Sequence, residues 1–360
     1  MSKSKRTVAF IGALLLLAAC TSRGPVQVEQ DRFDYSDYIS ESWKSQGLMN
    51  IVRMRYVDWP VFMEIQQVIS AYRWEIFGTV KGEVRTPIEN QFNKVDGAIT
   101  GRYQENPTVI YKPLSGALYS KAMLSPPRPA VLLALIKTGM PADQMFRISV
   151  HSINGVTNDY VDGNAFYPAY EPFNRFVQLL RELQLKNALG IEVAKGKHDL
   201  EKLNLRFKTE KMNEKELQEL ASLKDIFGLD KTRDRYRIVF GSSSINNATI
   251  ALRTRSIIQV LETLSATVEV PPADIESDAV PDWNVSTDEQ TYNIYEPIMA
   301  IKSGDEAPSD AYAAVKYLDN WFWIADTDAR SKRSFQYLSL LLTITESGST
   351  PGGQVVIPTG

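Results

Sequence analysis

Cysteine is almost missing from this 360-residue chain: it occurs once, at position 20, and histidine occurs twice, at 151 and 198. One thiol can make neither an intramolecular disulfide nor a cysteine-rich zinc site. Two histidines would need carboxylates to complete a metal site, and no spacing marks such a set, so no metal or other cofactor is expected. His151 and His198 are the only imidazoles available to a Ser–His–Asp arrangement, and no G-x-S-x-G frames a nucleophile. No S-x-x-K occurs beyond the first 19 residues, and Gly241-Ser242-Ser243-Ser244 lacks the Gly-Lys-Ser/Thr of a phosphate loop. An excess of positive charge is also absent, since the formal net charge is −3. Nucleic acid is therefore a poor partner. The apolar run from Val8 to Ala19 would make a helix of roughly 18 Å, short of the ~30 Å hydrocarbon core.

What the N-terminus does carry is specific. Lys3, Lys5 and Arg6 form a positive segment ahead of that run, which ends Leu17-Ala18-Ala19-Cys20. A basic segment followed by a short apolar one reads as a signal peptide. The last four residues resemble the lipobox of bacterial lipoproteins, and the lone cysteine stands at the one position the motif requires. Small side chains let a peptidase close on the backbone, and a thiol is the best side-chain nucleophile for taking a diacylglyceryl group. The resemblance implies cleavage before Cys20, a thioether lipid on its sulfur and an acyl chain on the new amine. At about 0.8 kcal/mol per buried CH₂, two or three chains hold a protein on a membrane permanently. Thr21, where an Asp would retain the protein in the inner membrane, implies the outer membrane.

The rest of the chain reads as α+β, with mixed and antiparallel sheets, packed helices and two subdomains. The expected division is 1–19 signal, 20–37 lipidated cysteine and flexible tether, 38–190 and 191–360 α+β domains. Asn50 to Val57 alternates and reads as a strand, and Val61 to Phe77 leans to a helix. Gly78 to Gly101 reads as loops and short strands, Asn106 to Tyr111 as a strand, Ala130 to Thr138 as a helix closed by Gly139 and Pro141. Met145 to Ile153 reads as a strand turning at Asn154-Gly155. Helices are expected at Glu171 to Leu189, with Phe173, Phe176, Val177, Leu180 and Leu183 inward, and at Asn213 to Phe227, opened by an Asn213/Glu216 capping box. Arg235 to Phe240 reads as a strand, Thr254 to Thr267 as a helix, Pro272 to Gln290 as an exposed acidic loop and Ile294 to Lys302 as a strand. Tyr312 to Tyr317 and Trp321 to Ala325 read as a hairpin, followed by a helix capped at Asp326 to Asp328 and running to Glu346. Gln354 to Pro358 reads as a closing strand. The run Leu252 to Leu261 (LRTRSIIQVL), the block Ala314 to Glu346 and Ser152 to Gly155 (SING) resemble a set of bacterial lipoproteins without an assigned activity. That likeness agrees with the address and implies no chemistry.

Two groups of residues are candidates for contact with a partner or ligand. Trp321 and Trp323 share one face of their strand while Phe322 takes the other. Either the strand is buried on both sides, or the tryptophans stand exposed as a pair suited to a sugar or a protein interface. Arg330, Lys332 and Arg333, with Asp326 and Asp328, make a charged cluster; a helix start accounts for it without any function, and a partner surface or catalytic acids are the lesser readings. The reading that follows is a non-catalytic accessory or scaffold subunit of an envelope complex, lipid-anchored in the outer membrane and facing the periplasm, with the membrane and an envelope protein as partners. A carboxylate-based glycan hydrolase and a ligand-binding transport lipoprotein are the alternatives. An enzyme of that kind needs a deep pocket with two inward carboxylates about 5–10 Å apart. A scaffold needs an exposed apolar patch.

Overall fold

A computed structural model describes residues 24–69, 72–81, 96–105, 108–163, 165–195, 201–285 and 297–346. Cys20, His198 and the expected strand at 354–358 lie outside them. The chain divides into two compact units, Val61–Ser120 and the remainder.

Among the described residues of the larger unit the first element is α1 (Gly24–Arg55). The helix takes in residues 24–37, read from the sequence as tether, and residues 50–55, read as strand. The alternation that suggested a strand is outranked by a second spacing in the same residues. Leu48, Ile51, Val52 and Tyr56 recur at helical intervals, and all are buried. Arg55, on the same stripe, is buried too; its guanidinium lies 4.2 Å from the Trp283 ring and donates to the Pro281 carbonyl at 2.9 Å. Gly47 allows a close approach, since a Cβ there would stand 2.8 Å from the Phe335 ring.

The smaller unit holds β1 (Met63–Ile69), β2 (Tyr72–Lys81), β3 (Asp96–Glu105) and β4 (Thr108–Pro113). β1 pairs β4 and β2 pairs β3, both antiparallel. The helix expected at 61–77 is thus two strands. Apolar residues there fit both periods, and the β-branched and aromatic content decides for the extended form. Helix α2 (Gly116–Leu124) runs across the division between the units.

The larger unit continues with α3 (Pro129–Lys137), α4 (Ala142–Ser149), β5 (Val150–Ile153), β6 (Val156–Thr157), β7 (Tyr160–Asp162), β8 (Ala165–Tyr167) and α5 (Glu171–Leu185). Then come β9 (Leu189–Lys195), β10 (Glu201–Phe207), α6 (Glu214–Ile226), β11 (Arg235–Phe240), β12 (Thr249–Thr254), α7 (Ile257–Ser265), α8 (Pro272–Glu276) and β13 (Asn284–Val285). The last are β14 (Lys302–Gly304), β15 (Ala313–Tyr317), β16 (Asn320–Ile324) and α9 (Ala329–Glu346). Met145–Ile153 is therefore a helix end and then a strand. The acidic stretch after Pro272 holds α8 and β13; of the strand expected at 294–302, residues 294–296 lie outside the described residues, 297–300 are irregular, and Lys302 opens β14.

The main sheet has the order β6-β5-β12-β11-β10-β9, antiparallel except for the β11–β12 pair. It takes strands from both sides of the boundary read at residue 190. Leu203 and Leu205 on β10 stand opposite Ile238 and Tyr236 on β11, all buried, with Asn204 and Arg206 on the other face. Against that inner face packs α5, whose Phe173, Phe176, Val177, Leu180 and Leu183 are all buried. At about 1.5–3 kcal/mol each, those five side chains contribute roughly 10 kcal/mol before entropy is charged. The Asn213/Glu216 capping box forms at the start of α6. Asn154 and Gly155 have φ of 47° and 86° in the β5–β6 turn. The Asn154 amide also donates to the Phe227 carbonyl at 2.8 Å and its oxygen accepts from the Ala251 N–H at 2.7 Å, pinning the turn to the sheet.

Candidate functional site

The expected contact strand β16 is the middle of a three-stranded sheet, β14-β16-β15. Phe322 and Ile324 are fully buried on its inner face, while Trp321 and Trp323 are half-buried on the other. The Trp323 ring lies across Gly304 on β14, where a Cβ would meet it at 3.2 Å. The indoles thus cover their own sheet in part, between the two alternatives the sequence left open.

The charged cluster at the start of α9 is largely engaged within the chain. Asp328 accepts from the N–H groups of Arg330 and Ser331, at 3.1 and 3.0 Å, and from the Ser331 hydroxyl. Burial works against its ionisation, but those donors outweigh it and hold the carboxyl below its usual range. Lys332 Nζ bonds Asp326 Oδ1 at 2.6 Å and lies 5.2 Å from the Tyr312 ring. Lys44 of α1 stands 4.8 Å from that same ring and donates to the Tyr312 carbonyl. Arg333 is exposed and Arg330 half-buried. The cluster and the tryptophans adjoin in sequence, yet Lys332 is already engaged by Asp326 and the Tyr312 ring.

Among the described residues the most deeply buried charge carries no sequence signal. Arg255, 1% exposed, follows β12 and precedes the Ser256 cap of α7. Its guanidinium donates to the carbonyls of Arg147 and Ile148 at 2.8 and 3.3 Å, to the Asp159 carbonyl, and to Asp159 Oδ1 at 2.7 Å. Neighbouring Asn158 donates to the carbonyls of Arg147 and Val150. These bonds join the end of α4, β5, the 158–159 segment and the start of α7. A hint was available only in S-x-x-Q at Ser256, which marks the helix start and says nothing of the arginine before it.

Beside this anchor lies an aromatic and acidic group. Tyr160 and Tyr167 stack at 4.8 Å, and the His151 ring is 5.7 Å from Tyr160. Burial, then the charges of Arg255 and Arg253, push the His151 imidazole down to about 4, so it is neutral at pH 7 and a weak base. Burial, then the charge of Asp162, hold the Glu262 carboxyl above its usual range.

A cleft of about 230 Å³ lies between α5 and α6, lined by Arg175, Glu182, Lys215, Glu216 and Glu219 among others. Two of its three acids are engaged: Glu219 takes two bonds from Arg175, at 2.7 and 2.8 Å, and Glu216 pairs with Lys186 at 2.5 Å. Both are held below the usual range by those bonds, the reverse of what a proton donor needs. Among the described residues no group of three or more His, Cys, Asp or Glu is placed to hold a metal ion, and no helix is long and apolar enough to cross a membrane.

An exposed apolar patch forms where α1 ends. Val57, Trp59 and Leu318 are 72, 68 and 62% exposed. The Tyr317 hydroxyl donates to Asp58, which brings the two segments together. Tyr56 donates to Asp274 at 2.5 Å and packs edge-on against Tyr317 and Phe322. Asn320 also donates to Asp274. Val57 and Leu318 have φ of 60° and 50°, a region that suits glycine and strains branched side chains. No family model, curated protein or solved structure matches the chain.

Proposed function

We propose that this is a lipid-anchored envelope protein, held in the outer membrane through Cys20 with its body in the periplasm, and that it serves there as a non-catalytic scaffold subunit. The lone cysteine at the end of a lipobox-like run supports the anchor. The observation that carries the scaffold role is the patch of Val57, Trp59 and Leu318. At two of its three positions the backbone would be relieved by glycine, yet each carries an exposed aliphatic side chain. Strain retained under a mostly exposed side chain argues for use on the outside. The test is cross-linking and pull-down of the lipidated protein from envelopes. A Val57→Gly/Leu318→Gly protein should fold and lose the envelope protein that the parent captures. Equal recovery by both proteins would overturn the role assigned to the patch.

A hydrolase reading rests on Glu262, whose carboxyl is held above its usual range by burial and then by the charge of Asp162. It predicts that purified protein cleaves peptidoglycan and that Glu262→Gln abolishes cleavage. Absence of cleavage by the parent removes this alternative.

A further inference from the structure

The smaller unit holds two antiparallel two-stranded pairings, β1 with β4 and β2 with β3. Among the described residues each of the four strands has a single pairing partner, so the outer edges of the β2–β3 pair are unpaired there.

The β2–β3 pair sorts by residue type. One face of the register holds positions Tyr72, Trp74, Ile76, Gly78 and Val80 opposite Glu105, Tyr103, Gly101, Ile99 and Gly97. Glu105 is the one charged residue of that row, and it stands at the end next to β4. Tyr72, Trp74 and Tyr103 gather at that same end. The other face holds Arg73, Glu75, Phe77, Thr79 and Lys81 opposite Gln104, Arg102, Thr100, Ala98 and Asp96. Opposite charges are register partners there, at Glu75↔Arg102 and Lys81↔Asp96.

β2 and β3 are 10 residues each. A strand of that length reaches about 34 Å, or about 24 Å of depth at the ~45° tilt of a barrel strand, and membrane-spanning strands run to about 9–11 residues. An apolar row with aromatics at one boundary, alternating with a polar row, is the pattern of a strand with lipid on one side and water on the other. In water alone, a two-stranded ribbon is marginal and its open edges invite pairing.

We propose that β2 and β3 are a membrane-spanning hairpin, and that copies of this chain pair their hairpins edge to edge into a composite β-barrel. Hydrocarbon leaves no unpaired backbone group satisfied, so the edges must close on one another. Identical hairpins close as a ring. The smallest closed barrels have about eight strands, which sets a minimum of about four chains. The face of the register that begins at position 72 is then the lipid face, and the face that begins at position 73 the lumen face. The choice of membrane rests on the reading of Cys20 as an anchor; the hairpin itself does not.

The test uses the full-length protein, purified in detergent and mixed with vesicles of phosphatidylethanolamine and phosphatidylglycerol that enclose a fluorescent dye. The parent should release dye with a steep dependence on protein concentration, and should form conducting channels in a planar bilayer of the same lipids. Ile76→Arg and Ile99→Arg, on the apolar row, should each lower release at least tenfold with an unchanged far-ultraviolet spectrum. Thr79→Lys, on the polar row, should keep release and shift the channel towards anions. Sealed vesicles and no conductance with the parent would overturn the proposal. So would equal losses from both rows, or cross-linking of the ribbon to a different protein without release. The adduct on residue 20 is read separately by mass spectrometry. Dye release by protein lacking the adduct would sink the anchor and leave the hairpin. Sealed vesicles with the adduct present would sink the hairpin alone.

Discussion

Replacing Val57 with glycine should make the protein more stable. The residue closes α1 in a Schellman arrangement: the Asp58 N–H donates to the Arg53 carbonyl at 2.8 Å and the Val57 N–H to the Met54 carbonyl at 3.2 Å. The same closure occurs at Gly139, Asn187 and Gly228, with φ of 109°, 54° and 64°. Those residue types tolerate the conformation; a β-branched side chain does not. The left-handed region costs an ordinary L-residue about 1–2 kcal/mol. Glycine gives back about 0.5–1 kcal/mol through the freedom it gains when unfolded. Val57 is 72% exposed, so truncation gives up little burial. The net gain is about 0.5–1 kcal/mol. Leu318, 62% exposed at φ 50° in the β15–β16 turn, yields a similar figure. The double variant should then gain about 1–2 kcal/mol, or roughly 2–6 °C in melting temperature. Urea titration of parent, single and double variants measures this directly. Destabilisation by more than about 1 kcal/mol at either site would refute the reasoning, because it would mean that the side chain packs within the chain.

Arg255→Leu should cost about 3–5 kcal/mol, since it strands the buried Asp159 carboxylate and several carbonyls; Asp159→Asn in the same chain should recover part of the loss, and a double-mutant cycle in urea reads both. His151 is depressed to about 4, so the unfolded chain takes its proton first. Its contribution is complete above pH 6.5 and is lost as pH falls towards 4, by about 2 kcal/mol after allowance for its partial exposure. His151→Asn should flatten the stability profile across that window. Leu180→Ala on α5 should cost about 3 kcal/mol, measured by the same titration.

The sequence was most legible where one period acted alone. The α5 stripe from Phe173 to Leu183, the Asn213/Glu216 box, the Asn154-Gly155 turn and the β15–β16 hairpin all stand where local pattern puts them, and the α+β class follows from them. It failed where two periods overlapped. Val52, Met54 and Tyr56 alternate, but Leu48, Ile51, Val52 and Tyr56 also recur helically, and the packing of Gly47 against Phe335 settles which spacing is used. At 61–77 the ambiguity resolved the other way, because pairing with residues 96–113 supplies the strand with a partner far along the chain. Arg255 could not be found at all, since a buried arginine and an exposed one look alike until the carbonyls that receive it are in place. Of the candidate contact residues, the pleat placed Phe322 inward, but no local pattern could show that Trp323 lies over Gly304 or that Lys332 is held by Asp326.

The account turns on what is attached to residue 20. Intact-mass and fragment analysis of the protein from its native membrane should find a mature chain that begins at Cys20, with a diacylglyceryl thioether and an amide-linked acyl chain. A free thiol at that position, or a chain that begins elsewhere, would contradict it.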